Sequence, residues 1–535
     1  MSEALIRTED LPIDEVNRLY VDTVIDRENI EALKSNQPLL LIGSRGTGKT
    51  MLMKKVESEL TDEFAMKRIL PVYTSFATSP VCESTNISRL MVSKILISLR
   101  GKLKEQGIIV NGTIFKPILN KDMNPVVRKL EEYIGNVSSL EEEDEGPQIN
   151  DYNIVNNIDY FREFIKELCE EFNIKKIIIM FDEACQIFAP MQQREFFDLF
   201  RALRSPIIVC KAAVYPGLVS YGTFQQFHDA TTKKVERTIL ASDYIEKMRE
   251  IVKNNYPTEY NKMIENGELL NTIIYCSNGN PRFLLKSVNV ILEKSNSLKA
   301  SVVNDVIKEF YRATVWTEHT KLEERYIGHK NMIEWSRKFI ENVVSNDIAK
   351  INTKTDDTSE KTTVYFAISR KAPTVIKQAI KILEYSGIVT LDVEATKFRY
   401  DFYDRYQLNF GIVLLATTTS NFAAVSKSIM DNISQKKFPN YGENSSAYEG
   451  MENLVIVDEE IDKKGFLESI LNKKVDDLDI SSKLLKRLND AGISLIKDIF
   501  EKDESELKKI HYIGPVRSRQ IYNDVMAAVI EYISG

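Results

Sequence analysis

Two short stretches of the chain hold residue types that suit phosphate chemistry. The first is Gly43-Ser44-Arg45-Gly46-Thr47-Gly48-Lys49-Thr50, of the form GxxxxGK[ST]. Its glycines let the backbone turn N–H groups onto an anionic oxygen, and a helix opening at the end of the loop adds the positive end of its dipole. In such a loop Lys49 reaches the β- and γ-phosphates of a nucleotide and the Thr50 hydroxyl ligates magnesium. The second stretch, Lys176-Ile177-Ile178-Ile179-Met180-Phe181-Asp182-Glu183, is an apolar run ending in two acids. Asp182 at its tip suits holding Mg2+ through water, and Glu183, next in line, suits polarising an attacking water as a general base. About 130 residues separate the two stretches, so a fold must bring them together. Together they imply hydrolysis of a nucleoside triphosphate.

The flanking elements fit that task. Pro38-Leu39-Leu40-Leu41-Ile42 reads as a buried parallel strand, and Met51 to Val56 opens an amphipathic helix. Further strands are expected at Leu70–Ser75, at Pro206–Val214 (ending at Tyr215-Pro216-Gly217) and at Val235–Ile239. Helices are expected at about 85–105, at Tyr160–Phe172 and at Gln192–Leu203. This alternation predicts an α/β fold, a parallel sheet with flanking helices, over residues 37–240 behind a polar lead-in at 1–36 with a helical patch at Ile13–Val21. A helical lid is expected at 241–325. Within it Gly279-Asn280-Pro281 breaks one helix and starts the next, with Arg282 projecting from the new first turn.

The loop, the Asp-Glu strand and the Gly-Asn-Pro-Arg turn resemble those of AAA+ P-loop ATPases. Within that family they look most like the origin-recognition-complex (ORC) branch and its relatives among signal-transducing (STAND) ATPases. The resemblance covers about residues 10–300. It implies ATP and Mg2+ as cofactors, and it implies that Arg282 is the lid arginine, sensor 2, that contacts the γ-phosphate. No GTP-type NKxD motif is present. The strand ending Ala212-Ala213-Val214-Tyr215 offers no sensor-1 Asn or Thr. The arginine finger is unassigned among Arg237, Arg201 and Arg204, which leaves a homo-oligomer open.

Residues 326–417 predict a winged-helix domain, which the family resemblance also places after the lid. Pro373 precedes an amphipathic helix at Thr374–Tyr385, followed by strands at Gly387–Leu391 and Ala395–Tyr400 with a short turn between them. Lys371, Lys377, Lys381, Lys397 and Arg399 are its candidate contacts to DNA phosphates. A helix and linker follow at 418–465. The final segment, 466–535, predicts an all-α helix-hairpin-helix domain: helices at Ser482–Asp490, Leu495–Phe500, Glu504–Ile510 and Val516–Ile533, with the Ile513-Gly514 turn before the last. Such a turn offers a helix N-terminus to a DNA phosphate without reading bases. The order of residues here is similar to the C-terminal domain of the bacterial RNA polymerase alpha subunit. Carried over, that resemblance implies DNA contacts at Lys483, Lys486, Gly514 and Arg517, to which Arg519 is added as a backbone-binding candidate. A helical protein-docking module is the other reading of this tail.

Composition sets outer bounds. The net charge of −7 gives the whole protein no basic character, so a nucleic-acid surface must be local. The acidic run Glu141–Glu145 reads as a solvated loop. Five scattered cysteines and four histidines show no ligand spacing, so neither a disulfide framework nor a zinc site is expected. No apolar run approaches the roughly 20 residues that span a bilayer. The N-terminus lacks the layout of a signal peptide, and cytoplasmic residence is the default. The expected function is an ATP-hydrolysing protein that binds duplex DNA, with weak sequence preference, through its two C-terminal modules. The alternative is a STAND-type signalling or anti-phage defence switch whose tail docks a protein partner or effector.

Overall fold

Runs of branched apolar residues, four to seven long, set the frame of the first part of the protein. The computed structural model describes residues 8–76, 87–108, 157–183, 190–217, 219–325, 329–353, 361–398, 400–417, 421–451, 471–478, 480–500, 502 and 504–533. The acidic run at 141–145, Cys82, Cys185, Arg399 and the linker from 452 to 465 lie outside the described residues. The protein divides into two units, residues 1–261 with 279–286 and residues 262–278 with 287–535. The stretch 241–325 is thus shared between them.

In the first unit the elements run α1 (Ile13–Leu19), α2 (Val24–Lys34), β1 (Leu39–Ile42), α3 (Lys49–Asp62), β2 (Ile69–Ser75), α4 (Ile87–Glu105), α5 (Ile158–Glu171), β3 (Lys176–Asp182), α6 (Pro190–Leu203), β4 (Ile208–Val214), β5 (Thr231–Lys234) and α7 (Tyr244–Asn255). The five strands form one parallel sheet in the order β2-β3-β4-β1-β5. Alternate strand residues point to opposite faces, and both faces are covered. Leu39, Leu41, Ile178, Met180 and Val209 pack with Ile30 and Leu33 of α2 and with Leu52, Met53 and Val56 of α3. Leu40, Ile177, Ile179, Phe181 and Ala212 pack with residues of α4, α5 and α6, including Phe196, Phe197 and Phe200. The lead-in is therefore part of the core. Thr23 caps α2, its hydroxyl accepting from the Asp26 N–H.

One lysine sits inside this sheet. Lys211 of β4 is fully buried, and its ammonium donates to the carbonyls of Ala32 (3.0 Å), Ser35 (3.0 Å) and Gln37 (2.6 Å) around the end of α2. Carbonyls at a helix end lack helical partners, so the cation closes that end onto the strand.

The strand expected at Val235–Ile239 is not there. The edge strand is Thr231–Lys234, four residues earlier, and pairs on one side with β1. An edge strand buries little, so polar Thr-Thr-Lys-Lys forms it. Val235 and Ile239 are buried in the irregular segment beyond.

The second unit contains α8 (Gly267–Cys276) and all but the first turns of α9 (Pro281–Lys294). Further helices, among them Ala300–Glu309, Lys330–Phe339 and Ser345–Thr353, come next, and after them β6 (Tyr365–Ser369), α10 (Thr374–Tyr385), β7 (Val389–Phe398), β8 (Asp401–Leu408), α11 (Phe422–Asp431), β9 (Asn440–Tyr441), α12 (Ser482–Asp490), α13 (Ile496–Phe500), α14 (Glu504–Leu507) and α15 (Pro515–Ile533). Its sheet has the order β7-β8-β6-β9, antiparallel except for β6 with β9. Helix α10 is followed by a hairpin, but the turn lies after Phe398 and not between Leu391 and Ala395. Two register shifts, between Leu391 and Val393 and between Val393 and Thr396, absorb the extra residues and keep β7 continuous. Ala395 takes a left-handed φ of 52° there, its N–H donating to Asp404 Oδ1 at 2.9 Å. In the tail α14 stops at Leu507, short of the expected Ile510, and three-residue turns lead on to Ile513. Asn523 of α15 accepts the Thr374 N–H (3.1 Å) at the start of α10. Cys169, Cys210 and Cys276 are buried free thiols. Among the described residues no helix is long and apolar enough to cross a membrane.

His319 and His329 are fully buried in this unit, and burial pushes each imidazole down to about 4. His319 is held by Ser386 Oγ (2.8 Å) on one ring nitrogen and by Ser336 Oγ (3.0 Å) on the other. An unfolded histidine takes up its proton near pH 6.5, so the unfolded state binds more protons between about pH 6.5 and 4. Stability is full above pH 6.5 and falls with pH through that window. Each histidine is expected to cost about 2 kcal/mol between pH 6.5 and 5. Chemical denaturation at pH 7 and pH 5 checks this: His319→Gln should lose less stability across that range than the wild type, and equal losses would rule the histidine out as a source.

Candidate functional site

The parallel register decides what meets what. Ile42 lies opposite Val214, and Phe181 opposite Ala212, so β1, β3 and β4 end at one edge of the sheet. The loop 43–50, Asp182 with Glu183, and Tyr215 all leave the sheet there, where ligands of open α/β sheets bind.

The loop holds a shape that only its glycines allow. Gly46 and Gly48 have φ of 88° and 103°. A Cβ on Gly46 would lie 2.7 Å from Arg282 Cβ and 2.8 Å from Asn280 Oδ1. The Gly-Asn-Pro-Arg turn is therefore laid directly on the loop. Asn280 Nδ2 donates to the Arg45 carbonyl (2.8 Å), and the Arg282 N–H to the Gly46 carbonyl (3.4 Å). Lys49 and Thr50 form the first turn of α3, whose N-terminus faces the loop.

Lys49 is buried, its ammonium donating to the carbonyls of Gly43 (2.6 Å) and Ser44 (3.0 Å) and standing 3.9 Å from the centre of the Tyr215 ring. Burial pushes it down to about 8, against the opposing pull of Glu183, Asp182 and Glu236. Asp182 is 1% exposed. Tyr73 of β2 donates to its Oδ2 (2.8 Å), and the Glu183 N–H to its Oδ1 (3.0 Å). Glu183 takes a left-handed φ of 61°, and the Tyr215 hydroxyl donates to its Oε1 at 3.0 Å. Burial first, and then the neighbouring Asp182 charge, hold the Glu183 carboxyl above the usual range. The Ser44 N–H donates to Glu236 Oε1 (3.1 Å).

These groups fit a nucleoside triphosphate with magnesium. The lid turn closes on the loop where Gly46 leaves no room for a Cβ, and the buried Lys49 ammonium lies in the field of the Glu183 and Asp182 carboxylates. Among the side chains gathered here, the Thr50 hydroxyl and the Asp182, Glu183 and Glu236 carboxylates are hard oxygen donors of the kind a divalent ion takes.

Arg237 has a different place from that of a finger reaching another subunit. Its guanidinium pairs with both carboxylate oxygens of buried Asp26 at 2.8 Å and donates to the Thr47 carbonyl at 2.8 Å. It is a brace of its own loop. Arg201 donates to Asp198 and Thr223 on the surface, and Arg204 is exposed. Sequence reasoning missed Asp26, Tyr73, Tyr215 and Glu236. For Asp26 a signal existed, the Thr23-x-x-Asp26 helix-start pattern; for Tyr215 the cue was its place at the tip of β4.

In the tail Lys483 and Lys486 are exposed on α12, and Gly514 precedes α15 with open space where a Cβ would stand. Arg517 is exposed and donates to the Tyr512 carbonyl (2.8 Å), while Arg487 lies 4.9 Å over the Tyr512 ring. Arg519 does not join them. It is 8% exposed and donates inward to the Glu443 carbonyl (3.3 Å) and Asn444 Oδ1 (3.4 Å), because on this helix it faces the packed side. In the hairpin region Lys371 is paired with Asp401 and Lys377 is half-buried, whereas Lys381 and Lys397 are exposed.

Removing one member of the Asp26–Arg237 pair strands a buried charge. Asp26→Ala is expected to destabilise the first unit by about 3–5 kcal/mol, and the double variant with Arg237→Ala to recover part of that loss. Urea denaturation of the single and double variants reads both, and additive losses would show that the pair is not coupled.

Residues 4–60 match the family described as ORC-CDC6-like, and residues 462–522 match that of the C-terminal domain of the bacterial RNA polymerase alpha subunit. No curated protein matches. Similar solved structures include the Walker-type ATPase of Pyrococcus abyssi, with 14% identity over 76% of this protein and 96% of that one at a TM-score of 0.37. The Aeropyrum pernix ORC2 protein in ADPNP and ADP complexes shares 11% identity over 78% of this protein and 97% of that one, TM-score 0.36. The Aeropyrum pernix ORC1 protein in complex with DNA shares 12% over 80% and 95%, TM-score 0.30. On its parallel α/β P-loop fold, the protein is similar to the ORC-CDC6-like family over the segment that carries its loop, and over its tail to the C-terminal domain of the bacterial RNA polymerase alpha subunit.

Proposed function

We propose that this protein binds ATP with Mg2+ at the loop 43–50, hydrolyses it, and holds duplex DNA through contacts to the DNA backbone. The observation that carries the first part is the meeting of Lys49, Asp182 and Glu183 at one sheet edge, with Arg282 laid on the loop. Loop N–H groups and the start of α3 would hold the phosphates, and Lys49 would supply positive charge to the β- and γ-phosphates. Thr50 and Asp182 would hold Mg2+, which when bound neutralises phosphate charge. Glu183 would take the proton of the attacking water at Oε2, the oxygen that Tyr215 leaves. Arg282 would bring its charge to the γ-phosphate.

The second part rests on the tail. Its likeness to the C-terminal domain of the RNA polymerase alpha subunit, the exposed Lys483, Lys486 and Arg517, and the open backbone at Gly514 support phosphate binding without base reading. The helix-and-hairpin of α10, β7 and β8 is read as a winged helix, with Lys381 and Lys397 as the exposed cations among its described candidates. The inward turn of Arg519 takes one cation away from the tail's DNA face and favours the second reading: a STAND-type signalling or anti-phage defence switch whose tail docks a partner.

Steady-state hydrolysis by the wild type and Glu183→Gln, each with and without duplex DNA, separates these readings. Stimulation by DNA in the wild type and near-total loss of turnover in Glu183→Gln are expected. Turnover indifferent to DNA would move the assignment to the switch. For the tail, the double variant Lys486→Glu with Arg517→Glu should bind duplex DNA at least about tenfold more weakly at low salt, with a shallower salt dependence. An unchanged salt slope would remove these residues from the DNA surface.

A further inference from the structure

Tyr215 touches both halves of the chemistry described above. It is 4% exposed, its hydroxyl donates to Glu183 Oε1 at 3.0 Å, and its ring lies under the Lys49 ammonium, 3.9 Å away. The sheet order explains how. Lys49 follows β1 and Glu183 follows β3, and β4 lies between those strands. The residue at the tip of β4 is therefore placed to reach both. A tyrosine suits that place because its face attracts a cation while its edge carries a donor.

Glu183 adds a second observation. Its φ of 61° is one that few non-glycine residues adopt. The direction of its carboxylate is thus set by its surroundings, and the hydroxyl of a packed ring is the rigid partner on Oε1. Tyr73 does something separate, its hydroxyl going to Asp182.

We infer that Tyr215 is a positioning residue for the hydrolysis proposed above: its hydroxyl aims Glu183 so that Oε2 faces the water, and its ring seats the Lys49 ammonium against the loop. One side chain thereby ties the placement of the base to the placement of the phosphate-binding cation. This rests on the reading of the site as an ATP-hydrolysing one.

The two contacts can be removed separately. Tyr215→Phe keeps the ring and loses the donor, whereas Tyr215→Leu loses both. Fluorescent MANT-ATP with Mg2+ is titrated into the wild type, both variants and Lys49→Ala, and phosphate release is measured on the same preparations. Tyr215→Phe should bind MANT-ATP within about twofold of the wild type yet turn over about tenfold more slowly, since orientation of a general base is worth at least that much. Tyr215→Leu should also bind about three- to tenfold more weakly, the span of a lost cation–π contact, and phenylalanine should restore that affinity.

Turnover of Tyr215→Phe within about twofold of the wild type would overturn the positioning role of the hydroxyl. Equal loss of affinity and turnover in Tyr215→Phe would overturn it too, by showing a merely structural residue. A wild type that neither binds MANT-ATP nor differs from Lys49→Ala overturns the reading of the site itself, and the inference with it. A wild type that binds MANT-ATP and releases no phosphate overturns the inference while leaving nucleotide binding in place.

Discussion

The buried ion pair between Asp26 and Arg237 is the interaction on which the shape of the site depends. Asp26 comes from the first turn of α2, and Arg237 from the segment just past the edge strand β5. The guanidinium reaches from the carboxylate to the Thr47 carbonyl, pinning the loop from behind. The backbone of the same arginine stands where a Cβ on Gly279 would lie, 2.5 Å from its carbonyl oxygen. Gly279, with φ of 75°, can approach that closely, and its N–H is taken by the Tyr244 hydroxyl at 2.8 Å. Asn280 and Arg282 then fall on the loop. Desolvating two charges offsets much of the attraction within a buried pair of this kind, so its net contribution to stability is small beside the cost of breaking it.

Around that brace the site is electrostatically divided. Lys49, which is buried, and Arg282, which is exposed, bring positive charge to the loop, and Asp182, Glu183 and Glu236 stand against them. Burial acts on each side in the direction of neutrality, lowering the Lys49 ammonium and raising the Glu183 carboxyl. Groups so arranged gain most from a ligand that carries both phosphate charge and a cation. Lys211 shows the contrasting structural use of a buried ammonium. Its three carbonyl partners close the end of α2, the helix that delivers Asp26, so a packing residue supports the site at one remove.

Much of this was legible in the residues themselves. The GxxxxGK[ST] loop, the strand ending in Asp182-Glu183 and the Pro281 helix start are local patterns, each specified by nearest-neighbour chemistry: glycine for left-handed turns, apolar runs for a strand covered on both faces, proline for a first helical turn. The strand placed at Val235–Ile239 failed because an edge strand need not be apolar, and hydrophobicity there marked an irregular segment pressed into the core. The hairpin turn was placed too early because a bulge lets a strand absorb polar residues that otherwise read as a break. Arg519 looked like its neighbours Lys486 and Arg517 in composition, and only the phase of α15 against its packing partners turned it inward.

The sequence by itself therefore determined which residue types suited to phosphate chemistry the protein carries, Lys49, Thr50, Asp182 and Glu183 among them, and that a parallel sheet would present them. Tertiary structure decided the assembly. Strand order set β4 between the other two and so put Tyr215 on both Lys49 and Glu183. Long-range packing brought Asp26 to Arg237 across 211 residues and made that arginine a brace beneath the loop. Contacts of that kind depend on which surfaces meet once the protein has folded, and no local pattern of side chains encodes them.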